Sequence, residues 1–164
     1  MLRKITFLIL VSLSFVTMAL GKYPALCRVS GLHYVKKSVS LFSQHTAKPR
    51  LYAIYNQSQH AIWLTHEKKH PSVSAGWDSQ LAPERWSALL VTRRRFGLNC
   101  RIQDKTGKMT TLPCRRVIRI CQYSDFYSKN PVLGGYWVAE NLPYKKLIDQ
   151  IRARGFTVET GGQK

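Results

Sequence analysis

The chain has 164 residues, 45% of them hydrophobic, and its 26 basic residues against 8 acidic ones give a formal net charge of +18. That length suits one domain with enough chain to bury a real core, and the charge attracts anionic partners such as lipid headgroups, cell-wall phosphates, glycosaminoglycans or nucleic acid. None of the four cysteines stands in a CxxC spacing, which leaves a redox motif or a zinc knuckle without support.

The first element is a leader. "MLRK" carries two positive charges, "ITFLILVSLSFVTMALG" is apolar with a few hydroxyls, and Ala19 and Gly21 provide the small-x-small pattern of a signal peptidase site. The expected segment is a signal peptide over residues 1–21, cleaved after Gly21; the other reading is an uncleaved anchor, since the run is nearly long enough to span a bilayer. Cys27 follows "PAL", which is no lipidation site. Loss of Arg3 and Lys4 with the leader leaves 24 basic and 8 acidic residues, a net +16 on a single domain over 22–164. The exported location argues against nucleic acid as the target, and a solvated basic surface and a dedicated polyanion site both account for the charge.

Residues 22–66 contain no carboxylate. "PALCRVSGLHYVKKSVSLFSQ" reads as extended chain. "RLYAIYN" (50–56) ends at the polar "NQSQ" and is followed by "HAIWLTH" (60–66), which predicts a hairpin. Alternation in the second run puts Ala61, Trp63 and Thr65 on one face and His60, Ile62, Leu64 and His66 on the other.

Next comes "HEKKH" (66–70), the His-Glu-x-x-His spelling of a catalytic zinc helix. The chemistry needs both imidazoles on one helical face, whereas "AIWLT" before it is strand-like and Pro71 after it pushes His70 out of the α region. Lys68 and Lys69 add positive charge beside a would-be dication, and no histidine follows His70 to serve as a third ligand. The expectation is a strand running into an exposed charged loop, with no metal, no cofactor and no catalytic residue. "GWDSQ" is not a GxSxG nucleophile elbow, and nothing in the sequence makes Asp78 and Glu84 converge on a substrate.

In "SVSAGWDSQLAPERWSALLV" (72–91), Trp77 and Trp86 flank a loop and stand among small residues. Both indoles folded over the sandwich edge as a hydrophobic plug is one picture; Trp77 exposed beside Lys68 and Lys69, suited to sugars or a lipid interface, is the other. "WSALLVTR" (86–93) is apolar enough to be buried on both faces as a central strand. The basic run Arg93, Arg94 and Arg95 joins Trp77, Lys68 and Lys69 as the candidate contact surface.

"FGLNCRI", "MTTLP", "RRVIRICQY" and "GGYWVAE" continue the strands. Folding at "DKTGK" brings Cys100 roughly opposite Cys114, which leaves Cys27 with Cys121 as a second disulfide. At the C-terminus Asn141 is the expected cap, Pro143 fits a first turn, and Tyr144, Leu147, Ile148 and Ile151 form one apolar stripe up to Gly155. The prediction is a helix near 142–154 covering a mainly β antiparallel sandwich stapled by two disulfides; a membrane-surface role is the other reading of its stripe.

"YNQSQHAIWLTH", "PSVSAGWDSQLAPERWSALLV", the cysteine block from "FGLNC" to "CRRVIRIC", "GYWVAEN" and "RGF" together resemble the enhanced-entry protein EnhB family of Legionella-type intracellular bacteria, over roughly residues 51–156. The resemblance implies an exported envelope or secreted protein linked to host-cell entry and virulence, with no catalytic residues to carry over. The basic "KK" and "RRR" stretches do not match the family pattern. The expected function is therefore a non-enzymatic exported interaction protein with a protein or envelope partner, and the alternative is direct binding of anionic lipid or glycan through a basic and aromatic surface.

Overall fold

The computed structural model describes residues 27–28, 32–42, 49–66, 78–92, 95–123, 135–156 and 158. The expected leader lies outside them, as do residues 67–70 of the HEKKH stretch. In chain order the elements are β1 (Cys27–Arg28), β2 (His33–Val35), β3 (Ser38–Leu41), β4 (Arg50–Asn56), β5 (Ile62–His66), β6 (Ser79–Leu81), β7 (Trp86–Val91), β8 (Phe96–Gln103), β9 (Met109–Leu112), α1 (Cys114–Val117), β10 (Ile118–Tyr123), β11 (Gly135–Leu142) and α2 (Tyr144–Ala153).

The strands form two antiparallel sheets. The first runs β1-β10-β4-β7-β11 and the second β2-β3-β8-β5-β6. β9 lies on the same edge of β8 as β3: β3 pairs with Phe96 to Asn99, and β9 with Cys100 to Gln103. Side chains from both sheets meet in one core, among them Val39, Leu41, Tyr52, Ile54, Leu64, Leu89, Leu98 and Ile120, all about fully buried. The mainly β sandwich with a C-terminal helix is thus the observed architecture.

β4 and β7 are buried along nearly their whole length, because the first sheet is a middle layer. Its other face carries a row of small side chains, Cys121, Ala53, Ala88 and Ala139, in register across β10, β4, β7 and β11. Leu147, Ile148 and Ile151 of α2 pack with Ala53, Ala88 and Ala139 in a second core. Small residues on a sheet let a helix backbone approach closely and bury its stripe, which is why the stripe is packing and not a membrane face. Among the described residues no helix is long and apolar enough to cross a membrane.

The C-terminal end of α2 follows the expected chemistry. Gly155 takes φ +84°, its N–H donates to the Arg152 carbonyl at 2.8 Å, and the Phe156 N–H reaches the Ile151 carbonyl at 3.3 Å. This is a Schellman closure that only glycine enters without steric cost. The N-terminal end differs from expectation. Pro143 precedes the first turn, and no side chain caps it. Asn141 instead lies within β11, one residue before its end, at φ +53°; its Oδ1 accepts the Ala82 N–H at 2.9 Å and its own backbone N–H donates to Ser87 Oγ at 3.0 Å. Its amide ties the edges of the two sheets together and is spent before the helix begins.

Two further expectations are corrected. Residues 50–66 are not a hairpin, since β4 and β5 belong to opposite sheets. Asn56, fully buried, makes the crossing: its Nδ2 donates to the carbonyls of His60 and Leu81 at 2.8 Å, and its Oδ1 accepts from Ser58 N and Ser58 Oγ. These bonds satisfy a chain that leaves one sheet without a ladder partner. "RRVIRICQY" is likewise not one strand. Cys114–Val117 form a single helical turn with Arg115 and Arg116 in solvent, and the chain then enters the first sheet as β10.

The predicted β8–β9 hairpin is present. Asp104 accepts from Thr106 N, Thr106 Oγ1 and Lys108 N, and Gly107 supplies the φ of +84° the turn requires. Cys100 and Cys114 are joined, with Cα atoms 5.2 Å apart. This is the one complete disulfide among the described side chains. Cys121 is also disulfide-bonded, and β1 pairs Cys27 with Tyr123, beside that strand; the side chain of Cys27 lies outside the described set.

Near the start of α2 the hydroxyls of Tyr123 and Tyr144 lie 2.9 Å apart. Burial pushes the Tyr123 phenol far up, and the neighbouring Tyr144 adds to the rise; burial also raises Tyr144. An unfolded tyrosine ionises near pH 10 while buried Tyr123 keeps its proton, so its contribution is complete below about pH 10 and is lost above it, at up to about 1.4 kcal/mol per pH unit. Denaturant midpoints followed from about pH 9 to 11.5 should fall less steeply in Tyr123→Phe than in wild type. Ala88→Leu, which fills the row beneath α2, should cost about 1–3 kcal/mol, measured by the same unfolding titration at neutral pH.

Candidate functional site

His66 closes β5 in extended conformation, so the helix that a zinc His-Glu-x-x-His requires is not present at its first histidine. The ring is occupied otherwise. Its Nδ1 lies 2.8 Å from the Gly97 carbonyl, and it stacks on Phe96 with centroids 4.1 Å apart. A carbonyl only accepts, so Nδ1 carries a proton. Among the described residues no group of three or more His, Cys, Asp or Glu is placed to hold a metal ion.

Of the predicted contact residues, Trp77, Lys68, Lys69, Arg93 and Arg94 lie outside the described residues. Arg95 is described: it is exposed, and its Nε donates to Ser40 Oγ at 3.2 Å. Trp86, the second tryptophan of the predicted plug, is half-buried at the start of β7, with Tyr55 at 4.9 Å and Tyr144 at 5.3 Å between ring centroids. It packs where α2 meets the first sheet.

The surface to which Arg95 belongs is the outer face of the second sheet. Alternation along β8 turns Phe96, Leu98 and Cys100 into the core, so Gly97, Asn99, Arg101 and Gln103 face outward. On β5 the core takes Ile62 and Leu64, which leaves Trp63 and Thr65 outside. Register then builds two rows. Gln80, Trp63, Arg101 and Thr111 stand side by side across β6, β5, β8 and β9. Thr65, Asn99 and Ser38 stand beside them across β5, β8 and β3. Ser40, opposite Gly97, continues the face beneath Arg95.

None of the residues in its six strands is acidic. Around Trp63 and Arg101 the outward side chains are hydroxyls and amides, with Arg95 further along; exposed Val35, opposite Ser38 on β2, exposed Met109, opposite Gln103 on β9, and His33, opposite Ser40, complete the face. Cross-strand neighbours such as Trp63 and Arg101 stand with Cβ atoms about 4.5–5.5 Å apart. Two polar atoms on the face have no hydrogen-bond partner among the described residues although they are buried: Thr65 Oγ1 and Arg101 Nε. Thr65, only 7% exposed, is the floor between the taller Trp63, Asn99 and Arg101. Buried donors left unmade cost about 1–3 kcal/mol each, so the fold carries these two at a loss. Ser79 Oγ is a third such atom, but it stands opposite Leu64 on the core side and belongs to no face.

The other broad surface offers less. Arg119, Tyr55, Trp86 and Leu142 align across the first sheet, but Arg119 Nε is held by Gln57 Oε1 at 2.7 Å and the aromatics pack toward α2. Trp63 and Arg101 were not among the predicted contacts. The alternation of "HAIWLTH" already placed Trp63 and Thr65 on one face; the partner strand that adds Arg101 and Asn99 lies more than thirty residues away and carries no local signal.

Comparison with protein-family models, with curated proteins and with solved structures finds no match for this chain. The outer face therefore has to be read from its own chemistry. Thr65→Val removes a buried hydroxyl that makes no bond and should leave the denaturation midpoint equal to or above that of wild type. Asn56→Ala, which breaks four hydrogen bonds at a fully buried site, should cost about 2 kcal/mol or more in the same urea titration.

Proposed function

We propose that the mature domain is a non-enzymatic exported recognition protein that binds an anionic glycan along the outer face of the second sheet. The observation that carries this reading is the row Gln80, Trp63, Arg101 and Thr111, an indole set directly against a guanidinium on an acid-free strand surface. A sugar ring offers a C–H face that stacks on an indole and a rim of hydroxyls that amides and hydroxyls can bond. Successive strands about 4.8 Å apart present such groups as a flat track, which suits an extended polymer. The basic surroundings draw a negatively charged chain toward it, and the net charge of +16 after loss of the leader acts in the same sense.

The cellular setting rests on other features. The expected leader over residues 1–21, the Cys100–Cys114 disulfide and the resemblance to enhanced-entry proteins support an oxidising, exported compartment and a role at the envelope or in host-cell entry. Binding to anionic lipid is the competing use of the same charge. It calls for clustered apolar side chains that insert below the headgroups, whereas the neighbours of Trp63 in the rows are Gln, Arg, Thr and Asn, and the exposed apolar side chains of the face, Val35 on β2 and Met109 on β9, stand on different strands.

Co-sedimentation of the mature chain with immobilised heparin-type polymer, with a neutral polysaccharide and with vesicles containing anionic phospholipid, each across a salt series, tests the reading. Heparin-type polymer should be bound at low salt and released as salt rises, and Trp63→Ala should weaken that binding about tenfold or more. Retention on vesicles alone, or an unchanged affinity in Trp63→Ala, overturns it.

A further inference from the structure

Resting on that reading, we infer that the charged substituent of the glycan is seated at one spot on the face, between Thr65 Oγ1 and Arg101 Nε. Trp63 stands opposite Arg101, and Thr65 stands opposite Asn99 one pair further along. Thr65 and Arg101 are therefore diagonal neighbours on one side of the sheet, within reach of each other for a side chain as long as arginine. Both atoms are buried, and neither has a hydrogen-bond partner among the described residues.

Each chemical property of the pair fits an oxyanion. The Nε–H of a guanidinium only donates, and a threonine hydroxyl is free to turn its hydrogen toward an acceptor. Two donors on one side of a shallow floor match two oxygens of a single anionic group, with charge-assisted bonds of about 2.8 Å. Burial removes the competing water, so such bonds are stronger there than at the rim. The Asn99 amide, opposite Thr65, stands where it can bond a neighbouring ring hydroxyl, and the Trp63 indole, on the Arg101 side, carries the sugar face. The anionic group is a sulfate ester or a uronate carboxylate. Both present paired oxygens, and the shape of the pair does not separate them.

The test uses three heparin-derived hexasaccharides: fully sulfated, desulfated with its carboxylates kept, and desulfated with its carboxylates reduced to alcohols. Affinities are measured calorimetrically for wild type, Thr65→Val, Arg101→Gln, Arg101→Lys and Trp63→Ala. Arg101→Gln should weaken the charged ligands about tenfold or more and Thr65→Val about threefold to tenfold, while the neutral hexasaccharide binds each as it binds wild type. Arg101→Lys keeps the charge but lacks the Nε donor and should recover little of the loss. The loss falling on the fully sulfated ligand alone identifies a sulfate seat, and its persistence on the carboxylate-only ligand identifies a uronate seat. Equal losses on charged and neutral ligands, or none, in Thr65→Val and Arg101→Gln overturn the seat; if Trp63→Ala still loses all three ligands, the wider face remains the binding surface. Unchanged binding in Trp63→Ala as well removes the face itself. Equal sensitivity of anionic vesicles to the Thr65 and Arg101 substitutions overturns the glycan assignment in favour of a lipid phosphate.

Discussion

The organisation of the molecule depends on the first sheet being buried on both sides. β4 and β7 have no face left for water: one side meets the second sheet in the sandwich core, and the other meets α2 over a row of alanines. A large side chain in that row would lift the helix, and a polar one would be stranded beneath it. Because the middle layer is used up by packing, the strand surface that no other described element packs against is the outer face of the second sheet. The location of the candidate site is thus a consequence of how the core is partitioned.

The linkers that make this partition possible are polar and fully engaged. Asn56 carries the chain from one sheet to the other, Asn141 ties the two sheet edges through Ala82, and the Cys100–Cys114 bridge pins the turn that carries the chain back into the first sheet as β10. The two asparagines meet backbone groups that would otherwise go unpaired where the chain leaves a sheet, and the disulfide ties β8 covalently to α1. The disulfide closes a loop of fourteen residues in sequence separation and so restricts the unfolded chain most where the local contacts alone are weakest, at a hairpin whose outer strand is largely exposed.

Much of the fold was legible in the sequence wherever the signal is local. The apolar continuity of "WSALLV" marked a strand covered on both faces, the turn chemistry of "DKTGK" marked the β8–β9 hairpin and with it the Cys100–Cys114 pairing, and the stripe Tyr144, Leu147, Ile148, Ile151 marked α2. The errors fall where one residue type serves two purposes. "NQSQ" between two strands has hairpin chemistry, yet Asn56 uses its side chain to leave the sheet. Asn141 has the composition of a helix cap, yet it serves the sheet edge and sits in the left-handed region that asparagine tolerates. "CRRVIR" alternates like a strand, yet its two arginines stay in water while Cys114 and Val117 turn inward, which one helical turn allows. The site was less legible because its composition is a matter of register: Trp63 and Arg101 become neighbours only when β5 is laid against β8.

The unpaired donors on the outer face gain their meaning from this contrast. At the crossings between sheets the domain meets the needs of its buried polar groups closely: fully buried Asn56 engages both ends of its amide, and Tyr52 both donates to and accepts from Phe42. Among the described residues three buried polar atoms are left unmet, and two of them, Thr65 Oγ1 and Arg101 Nε, stand together on the outer face of the second sheet. Local violations of polar satisfaction in natural proteins concentrate where stability has been given up for a ligand. A valine at position 65 would pack the same volume without the loss, and a glutamine at 101 would shed a desolvated charge, so neither residue is explained by folding alone. The cost of keeping both is recovered only when something outside the chain supplies the missing acceptors.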